Sequence, residues 1–395
     1  MRVQIIFLTI CFMFIAILIP PSALAEEETT PSNLLTESVI LLDAKSEQVL
    51  YEKNSEKSMY PASLTKIATA IYAIETGNLN DIVTVSKKAR QVEGTRVYLE
   101  EGEQVTLLKL VKGLLINSGN DAGIAIAEHI DGNLDKFEVS INDYLKNKVG
   151  LENTYFTNPH GLYDPKHQTT AYDLAKLTQY AMKNDLFREI IGTKEMKWIG
   201  KGWKTTLYHH HKLMREMPYE GITGGKTGFV DQSGYTLMTT AERDNLSLIV
   251  ISMNGIQPMD TYNDTIQLLD YGFLTFGTKL IARGSEYKND TGDTYTLADN
   301  QYVTTYKDKD MITKLSEDGT LIVNEGDALL KAEIPLQQEV KESTVVNVSE
   351  EEKPENEQTV EGKSSSNYSV NSFLLFIFLI IIICSSFIIK RKKNA

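Results

Sequence analysis

Short apolar runs separated by polar turns mark the first elements of this chain. Val39-Ile40-Leu41-Leu42 and Gln48-Val49-Leu50-Tyr51 read as the two strands of a hairpin. From Ser63 to Ile74, the residues Leu64, Ile67, Ala68, Ile71 and Ile74 recur at three- and four-residue spacing, which predicts a helix. Thr106 has the chemistry of an N-cap for a second helix, Leu107 to Ile116, and Ala122 to His129 predicts a third. Gly234 to Glu242 and Leu246 to Met253 flank the turn residues Arg243-Asp244-Asn245, the strongest hairpin signal in the chain. The second of these strands is apolar enough to be central in a sheet. From Leu34 to about Phe276 the pattern therefore predicts one mixed α/β body.

Beyond Gly277 the character changes. Short β-leaning pieces such as Gln301 to Tyr306 and Thr320 to Val323 alternate with turns, Asp318-Gly319 among them, and predict a small, mainly β region over 277–348. The next stretch, 349–371, is rich in Glu, Lys, Ser and Asn and has almost nothing to bury, the composition of a disordered spacer.

Both ends carry apolar runs of a different kind. Ile5 to Leu18 follows Arg2 and precedes Pro20-Pro21 and Ala23-Leu24-Ala25, so residues 1–25 read as a cleaved signal peptide. Phe373 to Ile389 is long enough, at roughly 26 Å as a helix, to cross a hydrocarbon core. Lys390-Arg391-Lys392-Lys393 follows at once and predicts a cytoplasmic tail, 390–395, behind a span at 372–389. The expectation is an outward-facing body on a single-pass membrane tether.

Charge and cysteine usage narrow the function. Setting aside Arg2 and Lys390 to Lys393 leaves 35 of the 40 basic residues against all 53 acidic ones, near −18, which excludes a nucleic-acid partner. Cys11 lies in the signal segment and Cys384 in the apolar tail run, so the exported body has neither a disulfide framework nor a thiol nucleophile.

Three segments carry candidate chemistry. In Ser63-Leu64-Thr65-Lys66 the i to i+3 spacing puts Ser63 and Lys66 on one helical face just after Pro61. A serine needs a base within hydrogen-bond reach, and a lysine serves only if burial beside a second cation lowers its pKa. Ser118-Gly119-Asn120 stands between two predicted helices, where it is either a simple cap or a relay and amide clamp. Gly225-Lys226-Thr227-Gly228 precedes the strong hairpin, either as a solvent-exposed turn or as an ammonium and hydroxyl offered to a carboxylate. His209-His210-His211 looks metal-like, but consecutive histidines point in different directions and no carboxylate motif supports a site. No metal and no cofactor is expected. His160 is expected to be a structural hydrogen-bonding residue.

Ser-x-x-Lys on a helix, then Ser-Gly-Asn between helices, then Lys-Thr-Gly on a strand resembles the penicillin-binding enzymes and serine β-lactamases. The surrounding Pro61-Ala62-Ser63-Leu64-Thr65-Lys66, Asn117 to Ala122, Asn158-Pro159-His160-Gly161-Leu162, Thr169 to Asp173 and Gly225 to Phe229 resemble the low-molecular-mass D-alanyl-D-alanine carboxypeptidases. The resemblance spans about Leu34 to Phe276. It implies a transpeptidase-like α/β fold over 26–276, with an antiparallel sheet, flanking helices and a helical subdomain. It also implies removal of the terminal D-alanine from peptidoglycan pentapeptides, control of cross-linking, and covalent inhibition by β-lactams. By the same resemblance Ser63 is acylated, Lys66 is its general base and Ser118 transfers protons. Asn120 positions Lys66 and the substrate backbone, Lys226 and Thr227 hold the terminal carboxylate, and Gly228 lets the substrate approach. The backbone N–H groups of Ser63 and Phe229 form the oxyanion hole. Some relatives place a histidine at Phe229, and some carry an arginine after the second hairpin strand, where this chain has Asn254-Gly255-Ile256-Gln257. The rival readings are a β-lactamase, which needs a fast deacylation device not identified here, and a non-catalytic wall-organising or penicillin-receptor protein.

Overall fold

The computed structural model describes residues 30–338. In chain order the elements to Thr106 are β1 (Ser38–Asp43), β2 (Val49–Lys53), α1 (Thr65–Thr76), β3 (Ile82–Thr84), α2 (Lys87–Gln91) and β4 (Gln104–Thr106). Helices α3 (Leu107–Ile116), α4 (Asn120–Asp131), α5 (Leu134–Tyr144), α6 (Ala171–Met182) and α7 (Asp185–Ile191) follow. The hairpin β5 (Glu195–Ile199) and β6 (Lys204–Tyr208) leads through α8 (Lys212–Arg215) to β7 (Ile222–Val230), β8 (Gly234–Arg243), β9 (Leu246–Gly255) and α9 (Pro258–Thr275).

Five antiparallel strands form the central sheet, in the order β2-β1-β9-β8-β7. Both faces are covered, which is why β1 and β9 read as nearly continuous apolar runs. Ile40, Leu42, Met238, Ile249 and Ile251 face a core shared with α1, α3, α4 and α6. Val39, Leu41, Leu248 and Val250 face the other side, against Leu268, Leu269 and Phe273 of α9. Leu64, just before α1, and Ile67 and Ile71 along it are fully buried, each worth roughly 1.5–3 kcal/mol of transfer free energy. The central sheet and its packed helices thus hold α1 and β7 rigidly at the cleft.

The caps explain where the helices begin. Thr106 accepts from the Lys109 N–H at 3.3 Å, as its position before Leu107 predicts. At α9, Pro258 occupies the first turn and the Asp260 carboxylate accepts from the Gln257 N–H at 2.7 Å.

One detail departs from the expected pattern. Ser63 does not lie in the α-helix itself but in a 3-10 turn, Ala62–Leu64, that precedes α1. The Lys-Thr-Gly segment lies on a strand, as its place in the motif order implies, and not in a solvent-exposed turn; the strand is β7, at the edge of the main sheet. Local periodicity cannot show this, because β7 is held by its ladder with β8 rather than by its own apolar content.

After α9 the chain continues as short strands: β10 (Phe276–Ile281), β11 (Glu286–Lys288), β12 (Thr294–Thr296), β13 (Gln301–Tyr306), β14 (Thr313–Leu315), β15 (Thr320–Val323), β16 (Ala332–Pro335) and β17 (Gln337–Gln338). Among the described residues no helix is long and apolar enough to cross a membrane. The expected signal peptide, spacer, membrane span and tail all lie outside the described residues, as do residues 339–348 of the expected β region.

Candidate active site

The 3-10 turn, the α3–α4 junction and the edge strand converge on one cleft of about 360 Å³. Ser63, Ser118 and Thr227 line it, together with Thr95, His210, Phe229, Thr261 and Tyr262. The Lys66 side chain rises one turn after Ser63 and is fully buried. Its Nζ donates to the His160 carbonyl at 2.6 Å and lies 2.7 Å from Ser63 Oγ. Burial, and then the charge of Lys226, holds this amine well below the ordinary lysine range, against an opposing pull from Asp121. A neutral Lys66 can accept the Ser63 hydroxyl proton.

Lys226 is the second buried lysine. It donates to Ser118 Oγ at 3.0 Å and to the Thr227 carbonyl at 2.8 Å, and burial pushes its pKa down to about 7. Ser118 sits in left-handed backbone at φ 60° between α3 and α4, which turns its hydroxyl into the cleft wall. Two contacts of 3.0 Å or less, Lys66 to Ser63 and Lys226 to Ser118, thus bring four side chains to the cleft that Ser63 and Ser118 line. Asn120 does not hydrogen-bond Lys66. Its Nδ2 donates to the Glu93 carbonyl at 2.7 Å, tying the loop that carries Thr95 to α4.

Close backbone approach completes the arrangement. A Cβ at Gly228 would stand 2.8 Å from the Ser63 nitrogen, so only glycine lets β7 pass the nucleophile turn at this distance. Thr236 Oγ1 fastens the same turn by donating to the Pro61 carbonyl at 3.1 Å. Phe229 is half-exposed beyond it and tilts against Tyr235, with ring centroids 4.5 Å apart.

Sequence reasoning missed the residues that hold the turn. Ala62 is forced into left-handed backbone at φ 48°. The Thr157 N–H donates to His167 Nδ1 at 3.0 Å, so Nε2 carries the ring proton and donates to Thr65 Oγ1 at 2.8 Å. The Thr65 hydroxyl in turn donates to the Ala62 carbonyl at 2.8 Å. The imidazole is stacked on Phe156, and burial holds its pKa down to about 3, so it stays neutral at pH 7. Thr65 sits inside the Ser-x-x-Lys segment, but nothing local in the sequence links it to a histidine 102 residues away. Asp121 is a second hidden support: its buried carboxylate accepts from the Val97, Leu99 and Ala122 N–H groups.

His160 is buried and hydrogen-bonded, its Nδ1 accepting from the Leu162 N–H at 3.2 Å. Of the consecutive three, His209 and His211 are buried while His210 is exposed in the cleft. His211 lies under β7, 2.7 Å from Thr239 Oγ1. Among the described residues no group of three His, Cys, Asp or Glu side chains is placed to hold a metal ion.

This constellation has known counterparts. A model of the peptidase S11 family, described as D-alanyl-D-alanine carboxypeptidase, matches residues 25–257. The chain belongs to this family. D-alanyl-D-alanine carboxypeptidase DacF from Bacillus subtilis is 32% identical over 268 residues, covering 65% of this chain and 68% of that one. DacC of Escherichia coli is 34% identical, over 66% and 67% of the two chains. Among solved structures, penicillin binding protein 5 from Haemophilus influenzae superposes with a TM-score of 0.69 at 26% identity, over 78% of this chain and 98% of that one. As a family member the chain is a serine D-alanyl-D-alanine carboxypeptidase acting on peptidoglycan, with the α/β fold of penicillin-binding enzymes.

Proposed function

We propose that Ser63 carries the acyl group and that neutral Lys66 is its general base. The observation that carries this reading is the 2.7 Å contact between Ser63 Oγ and a fully buried amine held below its usual pKa. Lys66 takes the hydroxyl proton as Ser63 Oγ bonds to the penultimate D-alanine carbonyl. The oxyanion is met by the Ser63 and Phe229 N–H groups, near the positive end of α1. Ser118, hydrogen-bonded to Lys226, passes a proton to the departing D-alanine amine as the peptide bond breaks. Thr227 and Lys226 receive the terminal carboxylate, Asn120 supports the cleft wall through the Glu93 loop, and Gly228 clears the approach. Water then hydrolyses the ester and frees Ser63. β-Lactams enter by the same acylation and remain bound.

D-Alanine release from a synthetic pentapeptide, and labelling by a fluorescent penicillin, test the assignment on the purified full chain. Ser63→Ala is expected to abolish both; equal release by wild type and variant sinks it.

The tethering is also proposed. Residues 1–25 direct export, 26–276 form the catalytic domain, 277–348 a small β domain, and 349–371 a spacer ahead of a membrane span at 372–389. The apolar run before Lys390-Arg391-Lys392-Lys393 supports it. Protease added to intact cells should digest the body, and a fully protected body would refute this topology.

A further inference from the structure

The stretch between α2 and β4 reaches the cleft at Thr95, and Arg96 follows it in the chain. Thr95, its neighbour, lines the cleft, and the Thr95 carbonyl accepts from the Asn120 N–H at 2.7 Å. The Arg96 carbonyl accepts from Asn117 Nδ2 at 2.9 Å. The backbone of Thr95 and Arg96 together is thus tied to both residues that flank Ser118-Gly119.

The side chain is not tied. Among the described residues Arg96 has no ion pair and donates no hydrogen bond, and its Nε is buried without a partner. Asp121 is close enough to feel its charge, but the Asp121 oxygens are already met by three backbone N–H groups. The guanidinium lies 5.2 Å from the centroid of the Tyr98 ring, which meets Trp203 edge-on at 4.9 Å. Tyr98 is 45% exposed and sits in left-handed backbone at φ 56°, a conformation that disfavours a residue with a β-carbon.

A partly dehydrated guanidinium with a buried, unanswered donor is unfavourable unless an acceptor arrives. Stacking on Tyr98 orients the planar fork without using its donors. Backbone strain at Tyr98 is the kind that persists where a ligand docks. The partner that answers a fixed fork best is a carboxylate, which can take two parallel N–H bonds.

We propose that Arg96, backed by Tyr98 and Trp203, is a subsite for a free carboxylate on the peptide substrate, upstream of the D-alanyl-D-alanine terminus. It makes acidic stem peptides the preferred substrates of the Ser63 site and discriminates against peptides whose upstream carboxylate is amidated. This subsite rests on the carboxypeptidase reading above.

Two synthetic pentapeptides ending in D-alanyl-D-alanine, identical except for a free or amidated upstream carboxylate, test this on the full chain. Wild type is expected to favour the acidic peptide about tenfold in kcat/KM, mainly through KM. Arg96→Gln should collapse that preference to about one, and Arg96→Lys should retain part of it. The wild-type comparison needs no variant, so equal use of the two peptides overturns the proposal even if Arg96→Gln fails to fold. Loss of activity on both peptides by the same factor in folded Arg96→Gln also overturns it, and would make Arg96 a support of the loop. Release from neither peptide by wild type would instead overturn the carboxypeptidase reading itself, and the subsite with it.

Discussion

The cleft and the strands after Phe276 are built on opposite principles. Around the cleft two lysines are fully buried, Ala62 and Ser118 hold left-handed backbone, and the neutral imidazoles of His167 and His211 are packed against the Ser63 turn and β7 respectively. From β10 onward the core is a small apolar cluster of Ile281, Leu297, Val303, Leu321, Val323 and Ile334, and the ion pairs, such as Lys314–Glu325 and Lys331–Glu333, stay exposed. The two regions meet at Asp43. Its buried carboxylate, at the end of β1, accepts from Thr278 Oγ1 at 2.7 Å and Thr304 Oγ1 at 2.8 Å, while Leu330 packs with Val39 and Leu41. Among the described residues the fully buried lysines, Lys66 and Lys226, both stand at the cleft. The strands after Phe276 fold by apolar burial, and the buried Asp43 carboxylate ties them to the main sheet.

If this contrast holds, a cleft substitution should damage turnover without harming the fold. Lys226→Gln is expected to slow acylation of Ser63 at least 100-fold while raising the melting temperature. A buried lysine whose folded pKa is about 7 takes up a proton less readily than the unfolded chain near 10.5, so it weakens the fold progressively as pH drops across that interval. The acid limb of acylation should also move to higher pH, because losing the Lys226 charge lets the Lys66 pKa rise. Penicillin-labelling rates against pH, alongside thermal melts, read both effects; a destabilised variant would break the comparison.

The junction should behave in reverse. Asp43→Ala strips the partner from two buried hydroxyls and from the Lys45 N–H, and is expected to lower stability by about 2–3 kcal/mol. D-Alanine release per folded molecule should hardly change. Urea unfolding, with activity measured on the same samples, separates the two effects, and a large fall in specific activity would show that the junction reaches the cleft.

A finer probe is Thr65→Val, which keeps shape but removes the hydroxyl between His167 and the Ala62 carbonyl. Acylation should slow about tenfold, with KM for the pentapeptide little altered, since the turn that aims Ser63 loses its brace. An unchanged acylation rate would show that Gly228 and Thr236 alone hold the turn.

Much of this architecture is legible in the chain because it is local. The turn between β8 and β9, the apolar run of β9, the Thr106 cap and the spacing along α1 are decided within a few residues, and the structure places those elements within a residue or two of the pattern. Ser63 and Lys66 are one helical turn apart, so their proximity follows from chain geometry alone. The role of Asn120 is less legible, because whether an amide meets Lys66 or the Glu93 carbonyl depends on a loop from another part of the chain.

By itself the amino-acid sequence determined the helices and hairpin of the body, the serine–lysine pair and the acidic surface. These depend on neighbours three or four positions apart and on composition. Only the tertiary structure decided that β7 is an edge strand beside Ser63, that Lys66 is dehydrated next to Lys226, and that His167 braces the Ala62 turn through Thr65 from 102 positions away. Burial and the fields of distant charges are properties of packing, and packing joins residues that no local period connects.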